Sequence, residues 1–185
     1  MTFKTKELIF IALMAAALFV INLVIGSGII AVTEVPGTNG FVTGLTNLIF
    51  ITFVALVLKR FWSVTTFYII YGILTIPTSM GGGPPGFIFK IIPLVITAFI
   101  FEVVIKLFNY KKKGFIIALL AFVVLGIFAY ILTYWILGMP ELTKILRVWP
   151  IMAIFFIILG YLGMWLGFKI YDRTKNKRVV LQITS

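Results

Sequence analysis

Residues 4–30 read KTKELIFIALMAAALFVINLVIGSGII. A short basic stub is followed by an apolar run with no polar face to turn toward water. A hydrocarbon core about 30 Å thick needs about 20 helical residues, and Glu7 to Ile30 supplies them. The run is too long for the apolar part of a signal peptide, and no small-residue cleavage site follows it. It reads as a retained membrane helix.

The rest of the chain repeats the pattern in five more segments: Phe41 to Leu58, Phe61 to Thr78, Phe87 to Phe108, Gly114 to Gly138 and Trp149 to Tyr171. The 185 residues are 62% hydrophobic and only 11% charged, with a mean hydropathy of +1.20. That composition excludes a soluble globular domain. The expected fold is an all-α integral membrane protein, residues 1–185 forming one domain of six transmembrane helices. No linker, low-complexity tract or soluble domain interrupts it.

The distribution of charge orients this bundle. If the chain crosses six times, Lys90, Lys144 and Arg147 lie on one side and the other thirteen of the sixteen Lys and Arg residues on the opposite side. The crowded side holds Lys4, Lys6, Lys59, Arg60, Lys106, Lys111, Lys112, Lys113, Lys169, Arg173, Lys175, Lys177 and Arg178. By the positive-inside rule that side is the cytoplasm, so both termini are cytoplasmic. The connections Ala31–Gly40, Ser79–Gly86 and Met139–Val148 then lie outside. The net charge of +11 sits in short clusters beside apolar spans. There it attracts the anionic headgroups of membrane lipid, so nucleic acid is not the expected partner.

Several chemistries are poorly supplied. There is no Cys and no His, which removes thiol nucleophiles, imidazole bases and most zinc or copper sites. The five acids are scattered over different depths, with no paired carboxylates and no Ser beside a base. The chain is therefore not expected to be an enzyme, nor to carry a metal or cofactor. No GxxxxGK[ST] loop occurs. The run Gly81-Gly82-Gly83-Pro84-Pro85-Gly86 lacks the Lys and Ser or Thr of such a loop and reads as a tight helix connection.

Within the spans, small, polar and charged residues carry the information. Ala12 and Ala16 stand four apart on one face of the first helix, and Gly160, Gly163 and Gly167 form a smooth stripe on the last. Either pattern lets a second helix approach closely. The AxxxA pattern resembles the signature in the first helix of S components, the substrate-binding subunits of energy-coupling factor (ECF) vitamin transporters. The likeness covers the whole chain: its length, six spans with both ends inside, a basic amino-terminal stub, an outer loop after the first helix and a glycine-rich last helix with a basic tail.

That resemblance implies a prokaryotic cell-membrane protein that captures a water-soluble vitamin or related micronutrient outside. A separate ECF transmembrane coupling subunit and two ATPase subunits would power its delivery. Ala12 and Ala16 would form the docking face for the coupling subunit. Nickel and cobalt subunits of this kind rely on histidine near the amino terminus, so the lack of His argues against that branch.

Lys90 is the charge that most needs explaining, about one turn inside the fourth segment from its outer end. It either snorkels to the interface or serves a cavity. Pro93 and the GGGPPG run nearby favour a polar helix end that lines a pocket. Lys90 is therefore the candidate contact for an anionic or carbonyl group of the ligand. Asn47, with Thr43 one turn above it, is a second polar element at similar depth, readable also as an interhelical hydrogen bond. Tyr130, Tyr134, Trp135, Arg147 and Trp149 cluster at the outer ends of the last two segments. They are either an interfacial aromatic belt or walls that stack on a ring-bearing vitamin. The first outer loop would be a lid, with Glu34 or Asn39 reaching inward.

On the inner half, Glu102 precedes Lys106 by four residues, the favourable order for an ion pair along a helix. Glu102 also anchors a rival reading as a small ion-coupled secondary carrier. A non-transport structural subunit is the other alternative. On helix three, Tyr68, Tyr71, Gly72 and Thr75 form a semi-polar stripe that reads as packing.

Overall fold

A computed structural model describes residues 3–33, 39–80, 85–138 and 145–184; for residues 27–33, 39–42, 134, 145–152, 179 and 184 it describes the backbone alone. The described residues are helical throughout, without strands: α1 (Thr5–Thr33), α2 (Asn39–Leu58), α3 (Ser63–Thr75), α4 (Ile91–Leu107, preceded by a 3₁₀ turn at Ile88–Lys90), α5 (Lys112–Ile136), α6 (Ile145–Thr174) and α7 (Arg178–Thr184). Pro93 is the third residue of α4, where its missing N–H would have had no intrahelical acceptor anyway.

Four helices are long and apolar enough to cross a membrane, over Thr5–Gly26, Ile88–Leu107, Lys112–Thr133 and Ala153–Thr174. Their number and length suit a multi-pass membrane protein. The described apolar stretches of α2 (Thr43–Leu58) and α3 (Ser63–Thr75) are shorter. At 1.5 Å per residue, the 13 residues of α3 rise about 20 Å. Its regular helix is therefore shorter than the Phe61–Thr78 segment that hydropathy alone delimits.

The broadest packing is of α6 on α2 and of α5 on α4; α1 lies against α2 and α3, and α3 against α4. Glycine sets the α2–α6 spacing. A Cβ on Gly163 would come within 2.5 Å of the Leu45 carbonyl oxygen, and one on Gly167 within 2.9 Å of the Ile49 carbonyl oxygen. Gly160 departs from the single stripe, because it faces the Leu119 side chain of α5 instead. Edge-on rings of Phe101, Phe115 and Phe168 link α4, α5 and α6 in the core. Large side chains such as Leu13, Val24, Phe128 and Ile154 are exposed on the outside, a surface suited to lipid.

Contacts among basic residues gather the helix ends that carry them. Arg60 pairs with Glu7 and lies over the Phe3 ring. Lys59 lies over Tyr171, Lys106 over Phe61 and Lys112 over Phe168. The start of α1, the α2–α3 turn, the α4–α5 turn and the end of α6 thus meet at one end of the bundle. The short helix α7 packs there on α1 and α2.

Candidate functional site

Away from the basic end, three helices contribute polar side chains to one buried cluster. Asn22 of α1 is 0% exposed and joins all three. Its Nδ2 donates to Asn47 Oδ1 of α2 at 3.3 Å and to the Tyr71 hydroxyl of α3 at 3.0 Å. Its Oδ1 accepts from the Thr46 hydroxyl at 2.5 Å. Asn47 is half-buried and so marks the edge of the cluster. Sequence reading picked out Asn47 and Tyr71 but missed Asn22. A lone amide in a long apolar run was its only signal.

Next to this cluster, Tyr68 is 1% exposed, with its ring edge-on to that of Tyr71 at a centroid distance of 6.0 Å. Its hydroxyl has no hydrogen-bond partner among the described residues. Tyr130 of α5 is half-buried against the core and is an electrostatic neighbour of Tyr68.

The Lys90 side chain is 0% exposed. Its Nζ donates to the Thr78 backbone carbonyl at 2.5 Å, just beyond the carboxyl end of α3, where the partial negative charge of the helix dipole collects. No carboxylate lies within ion-pair distance of it among the described residues. A buried ammonium with a single carbonyl partner retains two N–H donors and an uncompensated charge.

Glu102 answers Lys90 from the other end of α4. Its carboxylate is 0% exposed and accepts from Ser63 Oγ at 3.3 Å, Val64 N at 3.0 Å, Thr65 N at 3.1 Å and Thr65 Oγ1 at 2.6 Å. These are the orphan donors of the first turn of α3, whose N-cap Trp62 is left-handed (φ 78°) and makes no side-chain cap. The ion pair with Lys106 expected from spacing does not form. Lys106 instead lies 4.2 Å from the centre of the Phe61 ring. A carboxylate facing a helix amino terminus gains several charge-assisted bonds plus the dipole, which outweighs one exposed pair along a helix.

The structure sorts the other sequence candidates unevenly. Trp135 is 76% exposed on the outer surface of α5, so of these two candidates Tyr130 packs inward and Trp135 does not. Tyr134, Arg147 and Trp149 lie on helical backbone and Asn39 starts α2, but their side chains are outside the described residues. Glu34 and most of the GGGPPG run lie outside them altogether. On α1, Ala12 is half-buried and Ala16 exposed, while Ala15 faces the core. Apart from the polar cluster, an apolar groove of about 320 Å³ runs between α5 and α6, lined by aliphatic side chains such as Leu120 and Ile158. It offers little to orient a polar ligand.

Comparison with protein families, curated proteins and solved structures found no match to this chain.

Proposed function

We propose that this chain is the substrate-specific S component of an ECF-type ABC transporter. It crosses the membrane six times with both termini in the cytoplasm and binds a water-soluble vitamin or related micronutrient at its outer face. The observation that carries the reading is Lys90. A fully buried cation with two unused donors and no acid near it among the described residues is costly in a membrane protein unless something neutralises it. A ligand carboxylate does so. The thirteen basic residues at the opposite end suit a cytoplasmic rim, and α1 leaves Ala16 exposed where a coupling subunit would dock. Partner subunits would hydrolyse the ATP.

The rival carrier reading rested on Glu102 as a coupling carboxylate. The first turn of α3 accounts for that residue without proton coupling. A structural subunit would use Lys90 only to close the end of α3, which leaves two of its N–H donors unused.

Mass spectrometry of small molecules that copurify with the detergent-extracted protein, followed by titration of native and Lys90→Met chains with whatever is found, tests the proposal. The expected result is a stoichiometric anionic compound whose affinity falls at least tenfold in Lys90→Met. A chain that carries no small molecule and binds no vitamin tested sinks it.

A further inference from the structure

Tyr68, Tyr71 and Thr75 stand three and four apart in α3 and so share a helix face, with Thr78 three residues beyond its end. Thr75 is satisfied internally, its hydroxyl donating to the Gly72 carbonyl. Three other groups on or beside the stripe are not. The Tyr68 hydroxyl, the Tyr71 hydroxyl proton and the Asn47 side-chain N–H₂ donate to nothing among the described residues. Asn47 and Tyr71 both touch the same Asn22 nitrogen, so their heads are close together. Tyr68 lies one ring away.

A buried hydroxyl without a partner costs about 1–3 kcal/mol, so an orphan beside two more idle donors is expensive if nothing fills the site. The surplus is mainly of donors and carries no formal charge. A cation meets no carboxylate in this cluster among the described residues, and an anion meets neither a cation nor a helix amino terminus such as the one that serves Glu102. What fits best is a neutral acceptor.

We propose that Tyr68, Tyr71 and Asn47 form the neutral-acceptor subsite of the ligand pocket and bind an uncharged carbonyl or ring nitrogen, with Tyr130 as the flanking aromatic wall. This inference rests on the reading of the chain as a ligand-binding subunit and narrows its ligand. Lys90 is held by the Thr78 carbonyl, just beyond the carboxyl end of the helix that carries Tyr68 and Tyr71. The ligand class is therefore a small molecule that carries both an anionic group and a neutral carbonyl or heterocycle.

The discriminating variant is Tyr68→Phe. It removes a hydroxyl that bonds to nothing in the fold, so the folded chain keeps or gains thermal stability. A subsite contact, by contrast, is lost. Native and Tyr68→Phe chains in lipid nanodiscs are titrated calorimetrically with biotin, pantothenate, riboflavin, folate and the cation thiamine. The proposal expects at least one acceptor-bearing anion to bind the native chain, and Tyr68→Phe to weaken it at least tenfold at unchanged or higher Tm. Equal affinity in the two chains overturns the subsite and leaves the ligand-binding function standing. Binding of thiamine alone, or of uncharged riboflavin alone, overturns the ligand class. Binding of none of the five overturns both.

Discussion

The Glu102 carboxylate accepts both the backbone N–H and the hydroxyl of Thr65, at 3.1 and 2.6 Å, from one helix to the next. With Ser63 and Val64 added, one side chain of α4 satisfies the first turn of α3. Glu102→Ala leaves those donors buried and unpaired, so it should destabilise the protein by about 2–4 kcal/mol. Glu102→Gln keeps one acceptor oxygen and should cost about half as much. Fluorescence-detected size exclusion after a heating series orders the variants. Equal Tm for Glu102→Ala and the native chain would refute the capping role.

The glycines of α6 should differ in cost according to what they face. A methyl at Gly163 meets the Leu45 backbone oxygen, which cannot move without displacing α2, whereas a methyl at Gly160 meets the free end of the Leu119 side chain, which can turn away. Gly163→Ala should thus cost about 1–3 kcal/mol and Gly160→Ala distinctly less. The same thermal assay decides, and a larger loss at Gly160 would contradict the backbone-approach argument.

Asn22 should matter to stability although nothing in its neighbourhood advertises it. Asn22→Leu removes the hub between α1, α2 and α3 and takes one partner each from Thr46, Asn47 and Tyr71. Polar bonds between membrane helices average about 0.6 kcal/mol each, so a loss of about 1–2 kcal/mol is expected from three. A denaturant or heat series on Asn22→Leu checks this; a variant more stable than the native chain would show that the network is not holding the helices.

How much of this was readable beforehand follows from the range of each signal. Hydropathy and punctuation located α1, α2, α4, α5 and α6 because lipid imposes length and composition locally. The basic end was legible for the same reason. Glu102 was misassigned because its neighbour in sequence, Lys106, is visible in a linear reading, while the donors at Ser63, Val64 and Thr65 belong to another helix. Asn22 escaped because its meaning lies in Thr46, Asn47 and Tyr71, which only packing brings to it. Lys90 stands out in the sequence as a charge inside an apolar segment, yet its partner is a backbone carbonyl, which no sequence displays. The stripe Tyr68–Tyr71–Thr75 reads as packing in the sequence, and that the Tyr68 hydroxyl lacks a partner is visible only once the helices are packed.

High pH should reveal Tyr110. It sits in the α4–α5 turn at the basic end, its hydroxyl buried without a partner among the described residues, and burial, with the charge of Glu102 adding to it, pushes its pKa up to about 12. An unfolded tyrosine titrates near 10. Below about 10 both states keep the proton and its contribution is intact. From about 10 to 12 the unfolded chain ionises while the folded one does not, so stability falls as pH rises. Tyr110→Phe should lose less stability than the native chain over that window. Parallel Tm-against-pH curves for the two would exclude the effect.

Orientation can be tested directly because the native chain has no Cys. Single substitutions Lys113→Cys and Lys177→Cys should react with an impermeant maleimide only after cells are opened, and Pro85→Cys in intact cells. Labelling of all three from outside would contradict six crossings with internal termini.

The way α4 holds α3 at both ends bears on how the protein is made. The amino end of α3 finds its acceptors on Glu102 and its carboxyl end finds a cation in Lys90; both residues still lie inside the ribosome when α3 first emerges. On its own α3 is a short, polar-ended segment that lipid would accept poorly, and α4 alone would bring two unshielded charges. Each supplies what the other lacks. The two are therefore suited to leave the translocon as a preassembled hairpin, and a ribosome paused between them should hold α3 at the channel's lateral gate until α4 arrives.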